Sequence, residues 1–363
     1  MRRVYFIGLR GFPGVAGGVE THVENLVFHL QDADLEIVCF GRRRFRHSNK
    51  PRRNFEWKWI WAPRTRGIET FIHTFLCALA LAFNKRGIVH IHGIGPGALA
   101  PLLRLLGFRV VLTHHGFNYL HEKWGQITTL ILKFAEFIAV TFAHEIIAVS
   151  RNVRAQLESR FNRTVHYVPN GIPANNIETS CCNIDFPESS LPFFMMASRV
   201  VPEKRIHDVL AAFSRLNRNN VRLLIAGSAD EHGESYEDNL RKQTTKGLNI
   251  EFIGFLQPAV LWRYMDNCLA FINSSSHEGL PIAVLEAAAH GAKLILSDIP
   301  AHREFELPSS AYFDVGDIDA LAKLMQMVLS TDETTAGWRI NDTKMREYSW
   351  DRISMQTLQI YLA

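Results

Sequence analysis

The sequence predicts an α/β fold built from two successive halves, each a parallel sheet covered by helices. Three observations carry this. Short apolar runs of strand length alternate with segments of helical hydrophobic period along most of the chain. The alternation stops once, over Pro173 to Pro192, a stretch rich in Asn, Ser, Glu and Pro with no period. On either side of it, a strand runs into a loop suited to binding anions. With 363 residues, nearly half of them hydrophobic, there is enough chain for two cores.

The first half opens with Val4-Tyr5-Phe6-Ile7, an apolar run that reads as a buried strand. A glycine-rich loop from Gly8 to Gly18 follows, and then Val19, Val23, Leu26, Val27 and Leu30 keep helical spacing. Gly17 and Gly18 thus sit just ahead of a helix N-terminus, where bare backbone N–H groups and the helix dipole attract phosphate. The spacing Gly8, Gly11, Gly14 is not the dinucleotide fingerprint, and the next strand, Leu35 to Phe40, ends in Gly41-Arg42 without an acid for a ribose diol. An arginine there tolerates a 2′-phosphate, so an NADP-dependent oxidoreductase stays among the alternatives.

Residues 42–66 hold ten Lys or Arg and one acid, Glu56, interleaved with Trp57, Trp59 and Trp61. Cations neutralise anionic headgroups and Trp prefers the apolar–water boundary, so the stretch points to an anionic membrane surface. The plain alternative is a solvated basic loop beside an aromatic strand. The net charge of +4 and the absence of any nucleic-acid fold signature argue against nucleic acid. Thr70 to Asn84 and Gln126 to Thr141 are the longest apolar stretches, and both are too short or too charged to cross a bilayer. No signal peptide precedes the first strand. Five scattered cysteines without C-x-x-C spacing fit a reducing cytoplasm better than a disulfide framework or a zinc site.

Further strands are expected at Ile88 to His92 and Val110 to Thr113, the latter closed by His114-His115-Gly116 on the edge where parallel sheets bind ligands. Ile146 to Ser150 and Val165 to Val168 complete this half, with Ser150 capping a helix and Asn170-Gly171 turning the chain.

The second half begins at Phe193 to Ala197, and the loop after it carries Arg199 and Lys204, two cations placed to meet a diphosphate. Strands at Leu223 to Ala226 and Glu251 to Leu256 follow. Leu269 to Ile272 then leads into Ser274-Ser275-Ser276-His277-Glu278-Gly279-Leu280-Pro281, with Pro281 opening a helix. Glu278 falls in the loop and Glu286 about two turns into the helix. Two carboxylates that far apart suit a ligand with hydroxyls at both ends, and the N–H groups of Gly279 and Leu280 suit phosphate between them. A nucleoside diphosphate sugar has that shape. The plain alternative is an Ala-rich core helix with two solvated carboxylates.

The spacing of Glu278 and Glu286 resembles the E-x7-E signature of the family 4 retaining glycosyltransferases, and Arg10 to Thr21 resembles the glycine loop of their rhamnosyltransferase-like members. The string His114 to Tyr119 with Lys123-Trp124 is similar to a subgroup acting in surface polysaccharide assembly. The resemblance spans nearly the whole chain and implies the GT-B fold, two Rossmann-like domains closing on a nucleotide sugar in the cleft between them. It implies an acceptor-side domain at 1–172, on which 350–363 packs back, and a nucleotide-sugar domain at 190–349. Residue by residue, it implies that Gly17 and Gly18 face the donor phosphates and that His115, with His114 second, contacts the donor sugar. Arg199 and Lys204 neutralise the leaving diphosphate, Gly254 and Phe255 meet the base, Glu278 holds the sugar and Glu286 the ribose.

No metal or other cofactor is implied, in keeping with the lack of a D-x-D motif where a metal would meet the diphosphate. The expected partners are a nucleotide sugar, an anionic membrane surface at 42–66 and a lipid-linked glycan acceptor, for synthesis of O-antigen, capsule or exopolysaccharide at the inner face of the cytoplasmic membrane. A sugar-nucleotide epimerase of the same fold and a non-catalytic membrane scaffold are the alternatives.

Overall fold

A computed structural model describes residues 2–15, 17–30, 33–46, 55–65, 68–117, 119, 125–172, 191–229, 234–244, 248–330 and 333–363. The connection expected between the halves, the basic residues at 47–54 and the string through Lys123-Trp124 fall largely or wholly outside these. The chain divides into two compact units, Met1–Gly171 with Tyr348–Ala363, and Ile172–Glu347.

The first unit contains β1 (Arg2–Ile7), α1 (Gly18–His29), β2 (Leu35–Arg42), β3 (Phe55–Ile60), α2 (Ile68–Ala82), β4 (Ile88–His92) and the short α3 (Ile94–Gly97) and α4 (Ala100–Leu105). It continues with β5 (Arg109–His114), α5 (Gln126–Phe142), β6 (Glu145–Ala148), α6 (Arg151–Phe161) and β7 (His166–Tyr167). The second unit contains β8 (Phe193–Ala197), α7 (Ile206–Leu216), β9 (Arg222–Ala226), α8 (Glu234–Gln243), β10 (Asn249–Gly254), α9 (Pro258–Asn267), β11 (Ala270–Asn273) and α10 (Ile282–Ala289). It ends with β12 (Leu294–Ser297), α11 (Pro300–Arg303), β13 (Tyr312–Phe313), α12 (Ile318–Leu329) and α13 (Asp342–Met345), and α14 (Trp350–Leu362) belongs again to the first unit.

Among the described residues the first sheet has seven strands in the order β3-β2-β1-β4-β5-β6-β7, and every neighbouring pair is parallel. Its strands are apolar on both sides because helices cover both. Tyr5, Ile7, Val38, Phe40, Val89 and Ile91 pack with residues of α2 and α4 to α6. Val4, Phe6, Ile37 and Cys39 point the other way, into a core with α1 and α14. The period-2 alternation of the strands thus decides which helices each side chain meets. Trp350 opens α14, and Gly171 approaches it so closely that a Cβ there would stand 2.5 Å from the indole.

Among the described residues the second sheet has six strands in the order β10-β9-β8-β11-β12-β13, again all parallel. In both sheets the strand order reverses once, between β1 and β4 and between β8 and β11. Loops diverge there at the carboxyl edge and leave room for a ligand.

Local expectations met small corrections. Ser150 caps its helix as expected, accepting from the Val153 N–H at 3.2 Å. Pro281 is the N-cap of α10 rather than its first residue. The chain after β4 forms two short helices, α3 and α4, with Gly93 at positive φ ahead of the first. Trp57 and Trp59 do not face outward together. They stack at 4.5 Å, and Phe12 of the glycine loop lies 4.6 Å from Trp57, so these rings pack against the fold while Trp61 is 55% exposed.

Candidate active site

In the second unit the functional residues converge on the strand-order reversal. Parallel pairing of β8 with β11 puts the loop after Ala197 beside the loop after Asn273. Hydrogen bonds fasten the two. Ser274 Oγ donates to the Lys204 carbonyl at 2.8 Å, and the Ser276 N–H donates to the Glu203 carbonyl at 2.9 Å. These serines are therefore the stitching between the Lys204 loop and the Glu278 loop.

The Lys204 ammonium is ion-paired with Glu278 Oε1, which also accepts from Ser275 Oγ at 2.8 Å. Burial, the largest influence, pushes the Glu278 carboxyl up, but Lys204 and Ser275 outweigh it and hold the group at about 2. Glu278 is ionised at any physiological pH. Arg199 lies two residues beyond β8 on the same edge and is half-buried. Gly227, just past β9, is where the next loop crosses this one. Its φ is +120° and a Cβ would fall 1.8 Å from the Ser198 carbonyl oxygen, so only glycine fits.

Glu286 is different in kind. It sits in the second turn of α10, buried, and its Oε1 accepts from the Trp262 indole N–H at 3.4 Å. Burial raises its pKa to about 7, and the indole pulls it only slightly back. The two glutamates of one spacing motif thus hold opposite protonation tendencies, because one faces a cation and the other a ring. Gly254 closes β10 at positive φ, and the Phe255 ring beyond it is 48% exposed. Leu280, in contrast, is buried.

Sequence reasoning missed His302. It is fully buried, and its Nδ1–H donates to the Ser297 carbonyl at 2.8 Å. Because a carbonyl only accepts, the proton is fixed on Nδ1 and Nε2 presents a lone pair, which has no hydrogen-bond partner among the described residues. Burial lowers its pKa to about 4 although the Glu278 charge opposes this. A helix-opening Pro300 one turn past a strand end was the available signal.

In the first unit, α1 starts at Gly18 and Gly17 is its N-cap. The space beside Gly17 holds an internal ion pair. Glu20 accepts from Arg10 N at 3.2 Å, Nε at 3.0 Å and Nη2 at 3.0 Å, and a Cβ on Gly17 would stand 2.3 Å from Glu20 Oε2. The glycine pair therefore makes room for a carboxylate of its own helix, a feature the anion-cradle expectation did not contain.

The two histidines after β5 divide their work. His114 is fully buried with both nitrogens engaged, Nδ1 accepting from the Gly116 N–H at 3.3 Å and Nε2 donating to Glu136 Oε1 at 2.9 Å. Arg160 completes that pair from α6, donating to Glu136 Oε2 at 2.6 Å. His115 points to the opposite side, where its Nε2 is hydrogen-bonded to His92 Nδ1 at 3.0 Å and its ring lies 5.1 Å from that of His22. His22 Nδ1 meets Asn170 Oδ1 at 3.0 Å, so Asn170 orients a ring as well as turning the chain. Burial holds His22 at about 4 and His90 at about 3, and it pushes His92 and His115 well below the usual imidazole value, with neighbouring imidazoles adding to the effect. This cluster is neutral at pH 7.

Two Rossmann-like parallel sheets, each with its polar residues gathered at a strand-order reversal, define a two-domain α/β architecture of the GT-B type. The family pattern "Glycosyltransferase Family 4" matches residues 16–176 and "Glycosyl transferases group 1" matches 185–345. The chain belongs to the family 4 glycosyltransferases of GT-B fold. It is 24% identical over 388 residues to alpha-maltose-1-phosphate synthase of Mycolicibacterium smegmatis, with 96% of each chain covered. An uncharacterized glycosyltransferase of Methanocaldococcus jannaschii is 24% identical over 243 residues, and this chain spans 62% of that protein's length. Among solved structures, sucrose-phosphate synthase of Thermosynechococcus elongatus superposes with a TM-score of 0.82 at 19% identity, covering 100% of this chain and 98% of that one. Anabaena HepE in complex with UDP and glucose gives 0.78 at 15% identity, with 100% of both chains covered.

Proposed function

We propose that the protein transfers a sugar, with retention of anomeric configuration, from a nucleoside diphosphate sugar to a glycan acceptor on a lipid carrier. The observation that carries this reading is the Lys204–Glu278–Ser275 cluster, a permanently ionised carboxylate and a cation held together at the strand-order reversal of the second unit. A sugar needs an acceptor for its hydroxyls and its leaving diphosphate needs cations, and this cluster offers both in one place.

In this reading Lys204 and Arg199, with the amides of Gly279 and Leu280, stabilise the negative charge that builds on the departing diphosphate. Such a well-placed donor is worth about 3 to 4 kcal/mol of transition-state energy. Glu278 accepts from the sugar hydroxyls and orients the ring, without forming a bond to it. The acceptor hydroxyl oxygen bonds to the anomeric carbon on the face that the phosphate oxygen leaves, and its proton passes to that departing phosphate. Glu286 accepts from the ribose diol, and Gly254 with Phe255 meets the base. His115 contacts the donor sugar and Gly17 with Gly18 the phosphates; with charge neutralisation assigned to side chains, no metal is required. That solved neighbours of the fold include a complex with UDP and glucose supports a nucleotide-sugar donor. The basic residues of 42–66 support an acceptor presented at the inner face of the cytoplasmic membrane, as in surface-polysaccharide assembly.

The test is a thermal-shift panel of nucleoside diphosphates followed by transfer assays with the matching sugar donors. One nucleotide should raise the melting point by mass action. Glu278→Gln and Lys204→Ala should each lower transfer at least about a hundredfold. Conversion of the donor with no acceptor present would identify an epimerase instead, and a chain that binds no nucleotide would be a scaffold.

A further inference from the structure

The two apolar stretches that are too short to cross a bilayer became α2 and α5, and neither is buried as its composition would require. A helix that is hydrophobic all round belongs in a core. Each of these turns one side to the sheet: Cys77, Ala78 and Leu81 of α2, and Ala139 and Val140 of α5, pack in the same cluster. Each leaves the other side bare. On α2, Phe71 is 51% exposed and Phe75 39%, and Phe83 just past its end is 93%. On α5, Leu130 is 69%, Ile131 60% and Phe134 62%. Both helices cover the same face of the first sheet, and α3 between them touches both.

Charge says what covers this face. The acids of the two helices are turned inward: Glu69 is paired with Arg42 and Arg44 at 2.8 Å each, and Glu136 with Arg160 and His114. What remains outward on α5 is Lys133, and at the N-terminal end of α2 a cavity of about 390 Å³ is lined by Arg42, Arg43, Arg44, Arg64 and Trp61. Four arginines line it, and Glu69 pairs with two of them, Arg42 and Arg44. A second copy docking by two-fold symmetry would set these cations against their own kind, whereas an anionic lipid surface complements both the charge and the apolar stripes.

We propose that α2 and α5 form a membrane-docking face, their outward phenyl, leucine and isoleucine side chains entering the acyl region of an anionic phospholipid bilayer while the arginine cavity at the start of α2 takes a lipid phosphate. This deepens the membrane-surface part of the proposed function and rests on it. It moves the apolar anchor from Trp57, Trp59 and Trp61, the first two of which are packed inward, to the helices.

Flotation of the purified full chain with vesicles decides it. The wild type should float with vesicles of phosphatidylcholine mixed with phosphatidylglycerol and far less with phosphatidylcholine alone. Phe71→Ser combined with Phe134→Ser should weaken partitioning about tenfold or more, since two large apolar side chains no longer leave water. Arg43→Glu with Arg64→Glu should abolish the preference for the anionic lipid. Both Phe positions are more than half exposed, and an unchanged melting point will show that the variant folds. If the wild type floats and the Phe variant floats equally well while the Arg variant does not, the membrane reading stands and this inference falls. A wild type that binds neither vesicle overturns both, while nucleotide binding still reports on the donor site. Concentration-dependent dimerisation in sedimentation velocity that the Phe substitutions abolish would assign the face to a second copy and overturn the inference.

Discussion

Lys204 and Glu278 are 74 positions apart in the sequence and share one carboxylate oxygen with Ser275 in the fold. The lysine follows β8 and the glutamate follows β11, and the pair exists because those two strands are neighbours in the sheet. Loss of either partner therefore has consequences for folding as well as for chemistry.

Glu278 sits at about 2 against an ordinary value of 4.5, so it supplies stability above pH 4.5 that is lost as pH falls through 2. The shift corresponds to about 3 kcal/mol. Lys204→Ala strands the carboxylate and should cost about 3 kcal/mol at pH 7, measured by urea unfolding, whereas Glu278→Gln should cost less because no buried charge is left unpaired.

Glu286 titrates the other way. Its value of about 7 means that the folded state holds the proton more tightly than the unfolded one, so this group's contribution favours folding at low pH and declines as pH rises from 4.5 through 7. If the carboxylate accepts from ribose hydroxyls, nucleotide affinity should weaken as pH falls below 7, by about tenfold per unit. Calorimetric titration between pH 5.5 and about 8 should show this slope in the wild type and not in Glu286→Gln. Burial holds the His115 imidazole well below its usual value, so His115→Asn should leave the slope in place.

His302 offers one buried lone pair from Nε2. His302→Phe keeps the volume and removes it, and kcat/KM for the sugar donor is expected to fall about tenfold to a hundredfold while affinity for the nucleoside diphosphate alone stays unchanged. Equal losses in both would mean that the residue only supports the Ser297 loop.

Gly227→Ala places a methyl group where the Ser198 carbonyl stands, on a backbone of φ +120°. A loss of more than about 3 kcal/mol of stability is expected, read as a lower melting point of the second unit.

Much of the site was legible because its parts are local. The strand–glycine loop–helix at Val4 to Leu30 and the strand–loop–helix at Leu269 to His290 each declare themselves within some thirty residues, through hydrophobic period and turn chemistry. The histidine pair at 114 and 115 was legible as a pair. Which member does what was not, since adjacent residues of a strand face opposite sides and only the sheet's surroundings distinguish them. Trp262 gave no signal and His302 little beyond the helix-opening Pro300, because their parts are set by partners in other elements.

The sequence by itself determined an α/β chain of two halves, the two glutamates of the spacing motif and the cations that could serve them, because each follows from neighbours along the chain. Only tertiary structure decided that one glutamate is ionised at about 2 and the other poised near 7, that the glycine loop encloses an Arg10–Glu20 pair, and that α2 and α5 keep an apolar side outward. The physical reason is common to all three. Protonation, pairing and exposure depend on dielectric and distance, and those are set by which strands and helices become neighbours, not by which residues are adjacent in sequence.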